Sequence, residues 1–272
     1  MAKKSTKSTD DISKQSSIKD DIIYPKIIDR RLQQIRFQLE DQKVESICIV
    51  NISNIRYITN FSGLNALVFV HENEVHFITD DRYEDQIKTE LFNLPNLHTH
   101  ITRDPWNYIA NSEILKDIQS IAFEAEYMPY AEAVEIRNII RPVKFKPATN
   151  MVTRFMQTKG PEEISYIKKS LEISNKVYEY LLSFIKPGMT EIDVATEIGY
   201  QARKFGSEGD TSEIIVVSGN RGSLVFGNPS DKKIKKNDLI IVDYGARING
   251  FGSDISRTIS MGKVSKEQKA MY

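Results

Sequence analysis

From Ile28 the chain carries a helical rhythm, with Leu32, Ile35, Phe37 and Leu39 recurring among Arg, Gln and Glu. Apolar positions three and four apart share one helix face, so the spacing predicts an amphipathic helix against a core. Ser46-Ile47-Cys48-Ile49-Val50 replaces that rhythm with a short apolar run, which reads as a buried strand. Residues 51–61 read as a polar and aromatic connection. Ala66–Val70 and Val75–Ile78 read as two strands of a hairpin around His71-Glu72-Asn73-Glu74. Further on, Glu84–Leu91 reads as helix, Leu97–Ile101 as extended, Ile109–Gln119 as helix, Ile121–Phe123 as strand and Ala131–Ile140 as helix. Strands alternating with helices predict an α/β layer domain.

Residues 141–158 hold two prolines and few strongly apolar positions, which marks a boundary. Pro161-Glu162-Glu163 then opens a helix: proline in the first turn lacks only an orphan donor, and the acids suit the positive end of the dipole. Ile164, Ile167, Leu171, Val177 and Leu181 form its apolar stripe, and Lys186-Pro187-Gly188 ends it. Thr190 with Asp193 resembles a capping box and starts a helix to about Phe205, after which the pattern turns β-rich. The organisation expected is a flexible tail over 1–24, a first domain over 25–150 and a second region over 151–272. The tail rests on composition: Lys, Ser, Thr, Asp and Gln leave too little apolar surface to offset the entropy of ordering.

Composition narrows the class. Lys plus Arg and Asp plus Glu are 37 each, so the formal net charge is zero and the electrostatic footprint of a nucleic-acid binder is missing. No apolar run approaches the roughly 18–20 residues of a membrane span. The lysines near the N-terminus precede no apolar stretch, so no secretory leader is read. Cys48 is the only cysteine, which excludes an internal disulfide framework and any multi-cysteine zinc site. These readings favour a cytoplasmic protein with neither nucleic-acid nor membrane partners.

Chemistry enters at residues 239–258. Leu239-Ile240-Ile241-Val242 is a strand running into Asp243, and an acid in such a setting is costly to bury unless something pairs with it. Asn249-Gly250 between extended segments is a strong short hairpin signal. With those two residues at the turn, paired positions sum to 499, so Asp243 faces Ser256 and Asp254 faces Gly245. Side chains two apart share a face. Asp243 and Asp254 then become diagonal neighbours with Cβ atoms about 7–8 Å apart. Carboxylates so placed can share a cation or a close pair of cations, although two alone leave a divalent ion under-coordinated.

Other candidates are weaker. His98-Thr99-His100 sets two imidazoles on one strand face, expected at the surface. His71 and His76 are one residue too far apart for a two-histidine helical zinc motif and read as hairpin surface. Ser218-Gly219-Asn220-Arg221-Gly222 lacks the ending of a phosphate loop and reads as a plain loop. Trp106 reads as packing or a dimer contact, and Cys48 as core.

A resemblance gathers these segments. Lys186-Pro187-Gly188-Met189-Thr190-Glu191, Glu208-Gly209, Val217-Ser218-Gly219-Asn220, Gly227-Asn228-Pro229-Ser230-Asp231-Lys232-Lys233, Asp243-Tyr244-Gly245 and Ser253-Asp254-Ile255-Ser256-Arg257-Thr258 stand in one order. It is the order of the pita-bread metallopeptidases, in the branch of aminopeptidase P, prolidase and creatinase. Upstream, Arg31-Leu32, Asn54 through Gly63 and Thr79-Asp80-Asp81-Arg82-Tyr83 resemble the creatinase-type N-terminal domain. The fold implied is α/β, with a creatinase-like N-terminal domain and the first half of a pita-bread domain.

The resemblance further implies hydrolysis of the bond before proline, in a peptide with proline second, at a dinuclear metal centre that is commonly manganese. Two Asp, one His and two Glu hold such a centre. Asp243 and Asp254 match the two aspartates, and the other three ligands are expected beyond Asp254. All four histidines, His71, His76, His98 and His100, precede it. Phe226 stands where the family usually places a histidine that binds substrate or stabilises the transition state. Ser265-Lys266-Glu267-Gln268 is a helix-start signal close to Tyr272. These points make the chain, as an expectation, a fragment inactive by itself. The rival expectation is a homologue without chemistry that binds peptides or protein partners. Homo-oligomers through the N-terminal domain are a further implication.

Overall fold

The computed structural model describes residues 30–272, and they divide between Thr158 and Lys159 into two compact units. The tail reading over 1–24 lies outside the described residues.

The first unit opens with helix α1 over 30–42. Leu32, Ile35 and Leu39 are buried, whereas Phe37 is exposed: it is two positions from Ile35 and Leu39, off the stripe they define. Strand β1 (Ser46–Ile49) is wholly buried, and α2 (Ile52–Thr59) follows it. That helix occupies the stretch read as a connection. Its start is Asn51, whose side chain accepts from the Asn54 N–H, and its inner face carries Ile55 and Ile58. Strands β2 (Ala66–His71) and β3 (Val75–Thr79) form the expected hairpin. Helix α3 (Glu84–Glu90), strand β4 (Leu97–Ile101), helix α4 (Pro105–Ala110), strand β5 (Ser120–Glu124), helix α5 (Tyr130–Ile139), strand β6 (Lys144–Ala148) and helix α6 (Thr153–Met156) complete the unit.

Two further readings shift here. The helix expected over 109–119 is displaced to Pro105–Ala110, because Pro105 takes its first turn and Asp104 caps it, and a 3-10 turn at Glu113–Leu115 follows. The boundary segment holds a strand, β6, whose Pro147 suits an edge position. The sheet order is β4-β3-β2-β1-β5-β6, antiparallel at β3-β2-β1 and parallel elsewhere. Buried Glu124 ends β5 and accepts from the Val50 and Asn51 N–H groups and the Asn54 amide, which ties α2 to the sheet.

The second unit begins with α7 (Pro161–Phe184), where the Gly160 N–H donates to Glu163. Val177 and Leu181 are buried as expected, but Ile164 and Leu171 are exposed. In this half the buried face is Glu163, Ser170, Ile173 and Ser174. Helix α8 (Glu191–Lys204) starts with the Thr190–Asp193 capping box. Strands β7 (Ile215–Ser218), β8 (Leu239–Tyr244) and β11 (Ile255–Ser260) form an antiparallel sheet with β8 central. The small hairpin β9 (Arg247–Ile248) and β10 (Phe251–Gly252) lies between β8 and β11, and α9 (Lys266–Met271) follows. The unit's core gathers Val177, Leu181, Val194, Ile198, Val216, Ile240, Val242 and Tyr244. The mixed α/β fold is the expected one.

Candidate metal centre

The register read from Asn249-Gly250 is the observed one. Ile248 pairs with Phe251, Asp243 with Ser256 and Tyr244 with Ile255. Both turn residues have positive φ, 48° at Asn249 and 80° at Gly250, as a two-residue hairpin turn with matching twist requires. The Glu208 carboxylate accepts from both turn N–H groups at 2.8 and 3.1 Å.

Strand β8 alternates strictly. Ile240, Val242 and Tyr244 enter the core, while Leu239, Ile241 and Asp243 lie half-buried on the other face. Asp243 therefore sits on the central strand, between Ser256 of β11 and Ile215 of β7. Asp254 precedes β11 and is exposed. Its carboxyl is held above the usual range by partial desolvation, by the charge of Asp243 and by a hydrogen bond with Asp243. The two acids thus meet, as the register predicts.

What fixes them is a set of contacts that the sequence pattern does not display. The neighbour of each aspartate on its hairpin arm is pinned to Ser174 of α7. The buried Tyr244 hydroxyl donates to the Ser174 carbonyl at 2.9 Å, and Ser253 Oγ meets Ser174 Oγ at 2.8 Å. The Ala246 N–H donates to Ser253 Oγ at 3.1 Å, and Thr211 Oγ1 donates to the Ser253 carbonyl at 2.9 Å. A Cβ on Gly245 would run into that carbonyl and into Thr211 Oγ1. The missing side chain at Gly245 therefore admits Thr211. These partners lie 42 to 79 residues apart in the chain, except within the hairpin.

The donor chemistry suits a hard divalent cation: two carboxylates on one face, close enough to hydrogen-bond, repel each other when both are ionised. Among the described residues no three His, Cys, Asp or Glu side chains gather as a metal cage. The histidines are all in the first unit, where His71 and His76 are buried rather than on the hairpin surface.

Phe226 is 87% exposed on a loop with exposed Leu224 and Val225. A buried carboxylate anchors both flanks of that loop. Glu191 accepts from Ser218 N–H and Oγ, Ser230 N–H and Oγ, and Arg221 Nε. Arg221 also donates to the Asn228 carbonyl at 2.8 Å. Glu191 was visible in the sequence only as a motif letter; its role depends on loops about 30 and 40 residues away.

Residues 31–155 match the model of the creatinase/prolidase N-terminal domain, and residues 165–272 match that of metallopeptidase family M24. The chain is 29% identical to an uncharacterized peptidase, YqhT, of Bacillus subtilis over 89% of its own length and 68% of that protein. It is 26% identical to a Xaa-Pro dipeptidase of Pyrococcus horikoshii, covering 90% of the chain and 68% of the relative. Among solved structures it is similar to a Xaa-Pro dipeptidase from Bacillus anthracis, with a TM-score of 0.82, 29% identity and coverage of 89% and 68%. An X-Pro aminopeptidase from Thermotoga maritima gives 0.76, 30% identity and coverage of 84% and 66%. The chain thus spans about two thirds of the length of each of these relatives.

Proposed function

Because the chain belongs to metallopeptidase family M24, in its creatinase/prolidase branch, we propose that it supplies part of a prolidase-like active site that cleaves the bond before proline. The observation that carries this reading is the Asp243–Asp254 pair, held in one register on one face. Asp243 and Asp254 would hold a divalent metal pair, with manganese the metal of choice. Such a centre, when bound, polarises the scissile carbonyl and makes a nucleophile available at neutral pH. The chain's own residues set the geometry: Tyr244 and Ser253 lock the two hairpin arms onto Ser174. Ligands other than Asp243 and Asp254 lie outside residues 1–272 in this reading. The substrate is a peptide with proline second, and cytoplasmic location agrees with a lone, buried Cys48.

A second reading has its own observation. An exposed phenyl ring at Phe226 offers no hydrogen bond to a developing charge. That favours a module that binds peptides without cleaving them. Two measurements decide between the readings. The gene is read past the Tyr272 codon for one His and two Glu, and the 272-residue chain is assayed with Mn2+ on Ala-Pro. The expected results are downstream ligands, and turnover far below the usual enzyme range of about 1–10³ s⁻¹. Turnover within that range would overturn the incomplete ligand set. A downstream sequence without those ligands would leave the binding module.

A further inference from the structure

All four histidines of the chain gather on one face of the first unit's sheet. His76 of β3 pairs with His98 of β4 and with Phe69 of β2, and two-residue alternation adds His71 and His100 to the same face. The His76 ring stacks on His98 at 5.1 Å and on His100 at 5.3 Å, and meets His71 edge-on at 5.0 Å. His71 and His76 are each 8% exposed.

A chain of hydrogen bonds runs through this cluster. His76 Nε2 lies 3.2 Å from Glu74 Oε2, His76 Nδ1 lies 3.1 Å from His100 Nε2, and His100 Nδ1 lies 3.0 Å from the Tyr108 hydroxyl. An ionised carboxylate only accepts, so His76 must donate from Nε2. Neutral His76 then accepts at Nδ1 from His100 Nε2–H, and His100 accepts at Nδ1 from the Tyr108 O–H. Glu74 thus fixes one proton arrangement across the turn, β3, β4 and α4. Among the described residues no three such donors converge as a metal cage, so the cluster's chemistry is that of protons.

We propose that Glu74, His76, His100 and Tyr108 form an acid-released latch that holds strand β4 and helix α4 on the sheet. A proton added to His76 Nδ1 turns an acceptor into a donor. The first proton is accommodated by reversal, with His100 Nε2 accepting and His100 Nδ1–H donating to the Tyr108 oxygen. A second proton leaves two N–H groups facing each other. The other groups facing the cluster are His71 from β2 and His98 from β4. From α1, the Arg36 Nε donates to the His71 carbonyl at 3.1 Å. Glu74 is the acid that opposes the build-up of charge. Among the described residues strand β4 pairs with β3 alone, so release costs one ladder and the short α4.

The direction of titration agrees. Burial, then the neighbouring His76, pushes the His71 imidazole down to about 4. Burial, then neighbouring imidazoles, lowers His76 and His100. An opened state with ordinary histidines near 6.5 binds more protons than the closed one below that pH. The latch is therefore fully held above about pH 6.5 and weakens as pH falls below that.

The test is amide hydrogen exchange of the full chain at pH 7 and pH 5, corrected for intrinsic rates. The opposite edge strand, β6, is the internal control. Strand β4 should lose at least about tenfold more protection than β6, the factor carried by one pKa unit. His76→Gln should abolish that excess, and Tyr108→Phe should reduce it. Imidazole 15N shifts of the unmodified chain should report Nε2–H tautomers at His76 and His100, so the proposal stays testable if His76→Gln fails to fold. Equal loss in β4 and β6, an excess that survives in both variants, or Nδ1–H tautomers would overturn the latch.

Discussion

The two units bury their sheets differently. In the first, strands β1, β3 and β5 are buried at every position, so both faces are covered. In the second, β8 alternates between buried and half-buried, and β11 is mostly exposed or half-buried. The half-buried face of β8 is the one that carries Asp243. Covering both faces gives a rigid scaffold, and leaving one face open keeps a carboxylate pair accessible. Exposed large apolar residues occur in both units, among them Phe37, Leu64 and Tyr130 in the first, but three stand in a row only at Leu224, Val225 and Phe226 of the second.

The comparison breaks most visibly if core losses spread between units. Phe69, fully buried in the first core beside Trp106, should cost about 3–5 kcal/mol as Phe69→Ala. Calorimetry should show that loss in one transition only. A single merged transition shifting as a whole would contradict two separate units.

Smaller effects sharpen the site. Gly245→Ala forces apart Thr211 and the Ser253 carbonyl and should destabilise the second unit by about 1–3 kcal/mol. Tyr244→Phe removes the hydroxyl's hydrogen bond to the Ser174 carbonyl, which keeps its helical donor, a loss of about 0.5–1.5 kcal/mol. Denaturation followed by signals from the second unit measures both. An unchanged midpoint would remove the Ser174 anchor from the account.

Phe226 defines the smallest effect on stability. Phe226→Ser should change it by less than about 0.5 kcal/mol, since the ring packs on nothing that holds the fold. Brief chymotrypsin treatment should cut at Leu224 or Phe226 before any strand of the first unit, and Phe226→Ser should slow that cut. In a protein holding the whole ligand set, Phe226→His should raise kcat/KM on Xaa-Pro peptides by at most about 10²–10³. A drop on every peptide with unchanged folding would make Phe226 a specificity residue.

Much of this was legible in the sequence, for identifiable reasons. The Asn249-Gly250 turn sets a register, and that register brings Asp243 to Asp254. Strand β1 and the β2–β3 hairpin follow from unbroken apolar runs. Helix α2 has an apolar period of its own in Ile55 and Ile58, but over eight residues that period is too short to stand out from its polar neighbours. Strand β6 was hidden by Lys144, Lys146 and Pro147, residues tolerated at an edge. Ser174 and Thr211 carry no signal in the sequence and Glu191 only its place in a motif, since such polar residues gain their meaning from distant partners. Burial of His76 is illegible for the same reason: His98 and His100, which pack on it, belong to another strand.

The central claim is that Asp243 and Asp254 act together as metal ligands. Its most direct test is titration of the 272-residue chain with Mn2+, followed by electron paramagnetic resonance, beside Asp243→Asn, Asp254→Asn and the double variant. The account predicts saturable binding, weakened at least tenfold by either substitution and abolished in the double variant, about 1.4 kcal/mol or more per carboxylate. Binding of equal strength in the double variant, with the fold intact, would contradict it.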